Sequence, residues 1–130
     1  MSLKYDQNRQ LEQCCAGLGH GQDLVREINI DKGWVDPEAP SRDFGTMTAL
    51  LVSEVGEFVE AHRHPDGPNS PCDKRLVDGA MLSKQAEELA DIQVRLFDMA
   101  SEMGVDLASA FDAKVRYNAT RPLRHGGKRA

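Results

Sequence analysis

Residues 50–61 read LLVSEVGEFVEA, and this stretch decides how the rest of the chain is interpreted. Apolar side chains recur every three or four positions from Met47 to Val59, which is the period of an amphipathic helix. Glu54 and Glu57 lie three positions apart and therefore project from one side of that helix. Because they fall at the edge of the apolar stripe, the pattern predicts a helix that holds two carboxylates beside the protein core.

A second acidic pair follows in the stretch EELADIQVRLFDMA, at residues 87–100. Glu88 and Asp91 are again three positions apart, and they flank the apolar stripe of a predicted helix. If the two helices pack antiparallel, the four carboxylates meet. Such a group of anions suits a hard divalent cation such as Mg²⁺, with phosphate oxygens completing its coordination. The alternative is that these acids are solvated side chains of ordinary helix faces.

The first half of the chain is predicted to form two helical segments. The first covers residues 3–30, and the three glycines within residues 17–21 predict a break that would divide it into two helices. Gly33 is expected to end this segment. The second segment starts after a cap at Ser41 or Asp43 and ends at about residue 64, just before a proline.

The second half contributes two more helices after a long loop. The loop covers residues 65–80 and is rich in proline and glycine. The third helix is expected over residues 81–103, and the fourth follows a cap at Asp106 and ends before Pro122. The pattern therefore predicts an all-α fold, a bundle of four or five helices.

Composition agrees with a single small helical domain. The chain has 130 residues, enough for one compact domain, and its aromatic content of 5% is low for a β-sandwich. No run approaches the ~20 apolar residues that span a bilayer, and the N-terminus has no apolar signal segment. The three cysteines, Cys14, Cys15 and Cys72, have neither the number nor the spacing of a disulfide framework or zinc site. We therefore expect a cytoplasmic protein with free thiols and no membrane partner.

Charge is distributed unevenly along the chain. The net charge is −5, but the six lysines and arginines from residue 114 onward have no acidic neighbours in sequence, so residues 1–113 carry −11. An acidic body with one basic end is poorly suited to coating nucleic acid. It suits a small polyanion that binds together with a metal ion. The simpler alternative is that residues 122–130 form a flexible basic tail that only aids solubility.

Taken in order, several stretches resemble one family. The chain contains DKGW at residues 31–34, the two acidic stretches, VDLASAF at 105–111, KVRYNATRP at 114–122 and RHGGK at 124–128. This set resembles the MazG-like, all-α nucleoside triphosphate pyrophosphohydrolases. The resemblance covers roughly residues 29–128, and residues 1–20 form an N-terminal extension without a counterpart. It implies one MazG-like helical domain that assembles as a homodimer or homotetramer.

The resemblance also implies an activity and a set of site residues. The activity is hydrolysis of a nucleoside triphosphate to the monophosphate and pyrophosphate with Mg²⁺, for which Mn²⁺ is a possible substitute. The metal ligands would be Glu54, Glu57, Glu88 and Asp91, with Glu54 or Glu57 also taking a proton from the attacking water. We call Glu54 with Glu57, and Glu88 with Asp91, the two acidic couplets. The substrate would contact residues outside these couplets: Trp34, Lys114, Asn118 and Arg121.

Three alternatives remain open at this stage. The bundle is equally the scaffold of a non-catalytic module that binds nucleotide or a partner protein. A related enzyme would keep the chemistry and act on dUTP or phosphoribosyl-ATP. Trp34, the single tryptophan, has a second interpretation as an apolar plug between helices.

Overall fold

The computed structural model describes residues 2–72 and 81–122, and this part of the chain is all-helical. Four helices follow one another, and the structure assigns no named strand in the described residues. They are α1 (Tyr5–Asp31), α2 (Phe44–Arg63), α3 (Lys84–Glu102) and α4 (Leu107–Thr120). The predicted all-α class is confirmed. Of the predicted flexible tail at residues 122–130, residues 123–130 lie outside the described residues. None of the described helices combines the length and the apolar character needed to cross a bilayer.

Helix α1 is continuous, so the predicted break near residues 17–21 is wrong. The reason is a tertiary contact at Gly21. A Cβ atom there would lie 2.9 Å from Cε2 of Phe97 on α3, so the absence of a side chain lets the aromatic ring approach the α1 backbone. A glycine inside a helix costs about 1 kcal/mol relative to alanine. Here the close packing of α1 on α3 offsets that cost.

Local signals set the helix ends. Asp43 caps α2 by accepting a hydrogen bond from the Thr46 N–H at 2.7 Å, and Asp106 caps α4 in the same way through Ser109 at 3.1 Å. Gly33 follows α1 with a φ of 73°, a left-handed conformation that glycine adopts without strain. These three predicted boundaries are confirmed.

Helix α3 starts three residues later than predicted. Ser83 is its N-cap, and its hydroxyl accepts from the Ala86 N–H at 3.3 Å. Before the helix begins, Leu82 and Ser83 pair with residues of the predicted loop. The Cys72 N–H donates to the Leu82 carbonyl at 2.9 Å, and Pro71 and Ser83 form an isolated antiparallel bridge.

Helices α2 and α3 form the most extensive pair, and α1 packs on both α3 and α4. The α2–α3 pair is antiparallel, because Glu54 contacts Arg95 while Glu57, further along α2, meets Glu88, which lies earlier on α3. This arrangement is the one that brings the two acidic couplets together.

The connector between α1 and α2 is held to α3 by charged groups. Arg42 donates to both oxygens of Asp98, at 3.0 and 2.8 Å, and to Oε2 of Glu102 at 2.9 Å. Its backbone N–H also donates to Oε1 of Glu102 at 2.8 Å, and Arg26 of α1 donates to Oε2 at 2.9 Å. Asp98 is only 6% exposed. We call these four residues, Arg26, Arg42, Asp98 and Glu102, the connector clamp.

The clamp predicts a specific pH dependence of stability. The Arg42 backbone N–H, followed by the guanidinium groups of Arg42 and Arg26, lowers the pKa of Glu102 from 4.5 to about 2. Because the pKa is lower in the folded state, the stabilisation is complete above pH 4.5 and is lost as the pH falls towards 2. We expect Glu102→Gln to reduce the free energy of unfolding by up to about 3 kcal/mol at pH 7 and to match the wild type near pH 2.

Urea denaturation at pH 7, 4.5 and 2.5 measures this difference. Asp112→Asn is the matched control, because Asp112 forms an exposed pair with Arg116 on α4 and its loss should cost less than about 1 kcal/mol. Wild type and Glu102→Gln profiles that stay parallel across this range would contradict the role of the clamp.

Candidate active site

Three of the four predicted metal ligands converge between α2 and α3. Glu54, Glu57 and Glu88 each place one carboxylate oxygen within 4.8 Å of the others. Asp91 is not part of this group of three, but it lines the same cavity as Glu54 and Glu57. The antiparallel packing that the couplets required is therefore present. The role of these residues as ligands remains a prediction.

The electrostatics of this acidic cluster favour a cation. Burial raises the pKa of Glu88, and the negative charges of Glu57, Glu87, Asp91 and Glu54 raise it further. Its Oε2 atom is sealed from solvent and has no hydrogen-bond partner among the described residues. A buried carboxylate oxygen without a donor is costly unless a cation or a bound water satisfies it. Oxygen donors of this kind fit a hard divalent ion such as Mg²⁺.

One cation is already present beside the cluster. Nε of Arg95 donates to Oε1 of Glu54 at 3.0 Å, and the Glu54 side chain is 13% exposed. Arg95 lies one turn after Asp91 on α3. The structure pairs it with Glu54.

The cluster opens into a cavity of about 440 Å³. Glu54, Glu57 and Asp91 form its acidic end. Asp98 lines the cavity two turns further along α3, about 10 Å from Asp91 at 1.5 Å per residue. Trp34 also lines the cavity, and its side chain is 68% exposed, so its interpretation as a buried plug between helices is wrong. A large exposed aromatic surface and a group of carboxylates therefore share one cavity.

A second cavity of about 340 Å³ borders the cluster on its other side. It is lined by Glu57 and Glu88 together with the cationic residues Arg63 and Lys84, and by His64. Sequence reasoning did not select Arg63 or Lys84. Each stands next to a proline-rich loop whose ends are joined by the bridge between Pro71 and Ser83 and by the Lys84 N–H, which donates to the Ser70 carbonyl at 2.8 Å.

Helix α4 carries the remaining predicted substrate residues. Lys114 places Nζ 5.1 Å from the ring centroid of Tyr117, and Asn118 is exposed. Arg121 follows α4 as its C-cap. Within a single chain, α4 packs on α1, and none of Lys114, Asn118 and Arg121 lines either of these two cavities. Their contact with substrate remains a prediction.

Comparison with known proteins gives one informative similarity. A protein of Cyanophage S-2L described as a dATP/dGTP diphosphohydrolase is 29% identical to this chain over 98 residues, which are 75% of each of the two chains. No protein-family model matches the sequence. No solved structure matches it either.

The acidic cluster predicts how metal and pH affect stability. Because the pKa of Glu88 is raised in the folded state, its ionisation destabilises the metal-free protein as the pH rises above 4.5. We expect Glu88→Gln to be more stable than the wild type at pH 7 without metal. Mg²⁺ at 100 times its dissociation constant should stabilise the wild type by about 2.7 kcal/mol and the variant by clearly less.

Thermal melts between pH 5 and 8, in EDTA and in Mg²⁺, test this prediction. Glu12→Gln makes the same chemical change at an exposed position of α1 and should respond to metal and pH like the wild type. If Mg²⁺ leaves the wild-type melting temperature unchanged and the two variants behave alike, the cluster is not a metal site.

Proposed function

We propose that this protein hydrolyses a ribo- or deoxyribonucleoside triphosphate to the monophosphate and pyrophosphate, with Mg²⁺ as cofactor and Mn²⁺ as a substitute. The main support is the convergence of Glu54, Glu57 and Glu88, of which Glu54 and Glu57 line one end of a cavity within the usual size range of small-molecule sites. The similarity to a phage protein described as a dATP/dGTP diphosphohydrolase points to the same chemistry and to purine deoxynucleotides.

The carboxylates would hold the metal ion and leave one group to move a proton. A divalent ion bound by such carboxylates neutralises phosphate charge, polarises the phosphoryl oxygen and makes a bound water more acidic. Glu54 already accepts a hydrogen bond from Arg95, so one of its oxygens is occupied. Glu57 is exposed, and no donor in the described part of the chain reaches it. Glu57 is therefore the better general base for the attacking water.

The two cavities give the substrate a direction. With the base beside Trp34 in the larger cavity, the α-phosphate lies at the acidic cluster. The distal phosphates then extend towards the second cavity, where Arg63 and Lys84 provide positive charge. In this orientation Arg63 and Lys84 bind the two phosphates that leave as pyrophosphate. Arg95, which pairs with Glu54, lies near the α-phosphate.

Hydrolysis is tested with a panel of ribo- and deoxyribonucleoside triphosphates, dUTP and phosphoribosyl-ATP, with products separated by chromatography. We expect pyrophosphate and a monophosphate as products. Glu57→Gln should reduce kcat by about 100-fold or more, because it removes the general base, while the fold is retained. Glu12→Gln is the control and should keep full activity.

The alternatives predict different results in the same assay. Phosphate and a diphosphate as products would exclude the proposed cleavage between the α- and β-phosphates. Binding of nucleotides without turnover of any of them would support the non-catalytic module. A wild-type rate retained by Glu57→Gln would remove Glu57 from the mechanism.

We also propose that the protein is a homodimer or homotetramer that uses exposed faces of α2 and α3. Val52, Val55 and Val59 recur at helical spacing on α2 and are 62%, 44% and 40% exposed. Leu89 and Leu96, two turns apart on α3, are 52% and 39% exposed. Apolar stripes of this kind indicate association. Phe97, by contrast, packs within the chain against Gly21 and is not available to an interface.

Light scattering at micromolar concentration tests the oligomer. We expect a mass at least twice that of the 14.4 kDa chain. Val55→Glu should shift the protein towards monomer, because it places a charge in the apolar stripe of α2. Gln13→Glu adds the same charge at an exposed position of α1 and should leave the mass unchanged. A monomeric wild type would contradict the proposal.

A further inference from the structure

Asn29 is a buried polar residue whose side chain makes one hydrogen bond within the described residues, through its NH₂ group. It is 7% exposed, lies near the C-terminal end of α1 and lines the larger cavity. Its Nδ2 donates to Oδ1 of Asp98 at 2.8 Å. Its Oδ1 accepts no hydrogen bond from the described residues, and it is not among the unpaired atoms that are sealed from solvent. The oxygen of a nearly buried amide is therefore unpaired and partly accessible, in a residue that lines the larger cavity.

The connector clamp fixes the orientation of this amide. Both oxygens of Asp98 accept from the Arg42 guanidinium, at 3.0 and 2.8 Å. An ionised carboxylate has no hydrogen to donate, so only the NH₂ group of Asn29 can face it. The amide oxygen must then point away from Asp98. A reversed amide would place two acceptors against each other and leave a buried NH₂ without its partner.

The open acceptor lies where the base of a nucleotide would be read. The backbone N–H of Trp34 donates to the backbone carbonyl of Asn29 at 2.9 Å. The exposed indole and the side-chain amide of Asn29 are therefore carried by the same turn of the chain. Asp98, to which the amide is tied, is about 10 Å along α3 from Asp91. A nucleotide with its phosphates at the acidic cluster would bring its base to this end of the cavity.

We propose that Oδ1 of Asn29 selects nucleobases that present an exocyclic amino group, with Asp98 and Arg42 as positioning residues. This inference rests on the proposed function for the direction in which the substrate lies. An amino group donates to the fixed oxygen. A base without it leaves that oxygen unpaired once water has been displaced, and a base that presents a carbonyl there adds repulsion between two acceptors.

Matched substrate pairs test the selection in the wild-type protein. The triphosphates of purine 2′-deoxyriboside, deoxyinosine and 2-pyrimidinone deoxyriboside lack only the amino group of dATP, dGTP and dCTP respectively. We expect the preferred amino substrate to exceed its counterpart by about tenfold or more in kcat/KM. A ratio near one in every pair would overturn the proposal without any variant.

Variants identify the residue that is responsible. Asn29→Ala removes the acceptor and should bring the ratio below about threefold. Asp98→Asn provides a donor opposite Asn29, which allows the amide to reverse, and should also abolish the preference. Glu102→Gln is the control, because it weakens the clamp at its other carboxylate and leaves the bond between Asn29 and Asp98 in place. An equal loss of preference in Glu102→Gln would mean that general loosening, not the amide, sets the ratio.

Calorimetry with α,β-methylene analogues of the same pairs separates this inference from the proposed function, because the bond to be cleaved is replaced. Binding that discriminates by the amino group and depends on Asn29, without hydrolysis of the natural nucleotides, would support the inference and reject the function. Hydrolysis without discrimination would reject the inference and keep the function. An absence of binding to every analogue, together with no hydrolysis of the natural nucleotides, would overturn both.

Discussion

The rest of the structure depends on the contact between Arg42 and the two α3 carboxylates of Asp98 and Glu102. This contact joins the connector before α2 to the last turns of α3, and Arg26 adds α1 to the same group. Buried ion pairs are not stabilising by themselves, because desolvation offsets much of the attraction. Removing one partner, however, leaves another charge buried and unpaired. The clamp therefore favours one register of α1, α2 and α3, because any other register would leave its charged groups unpaired.

That register determines the chemistry. Once the start of α2 is held at the C-terminal end of α3, antiparallel packing brings Glu54 to Arg95 and Glu57 to Glu88. The apolar contacts between α2 and α3 hold these carboxylates together in spite of their repulsion, and the raised pKa of Glu88 is the consequence. Only one of the three is paired with a cation within the described residues. The fold thus retains an unfavourable concentration of charge that a bound cation would relieve, as is common at binding sites.

The clamp and the cluster form the two ends of one cavity, and each end is held differently. At the clamp end, polar groups are nearly buried and satisfied by each other, apart from the open acceptor of Asn29. At the cluster end, like charges lie close together, and Oε2 of Glu88 has no donor among the described residues. The clamp end, where polar groups are held in place, suits recognition of a ligand by hydrogen bonding. The cluster end, where carboxylates repel one another, suits a metal ion and phosphate. Helix α3 supplies residues to both ends, so their separation is set by the rise of a single helix.

Features that depend on neighbours in sequence were predicted correctly from the sequence alone. The caps at Asp43 and Asp106, the glycine after α1 and the pairing of acids one turn apart on α2 and α3 all follow from contacts within a few residues. The couplets also indicated that the acids would meet if α2 and α3 pack antiparallel, and three of the four acids converge in the structure. Fold class and the acidic half of the candidate site could therefore be predicted from local patterns.

Only the tertiary structure decided what depends on residues far apart in the chain. Gly21 is compatible with a continuous α1 because the Phe97 ring fills the space beside it, and no local signal reports that contact. Asn29 and Asp98 are 69 residues apart, so nothing in the sequence near either one marks the amide as oriented. Likewise, nothing in the sequence around Arg42 indicates that it contacts Asp98 and Glu102, because the fold alone brings these residues together. Periodicity predicts which face of a helix is buried, but the partner of a polar side chain is fixed only when the helices pack.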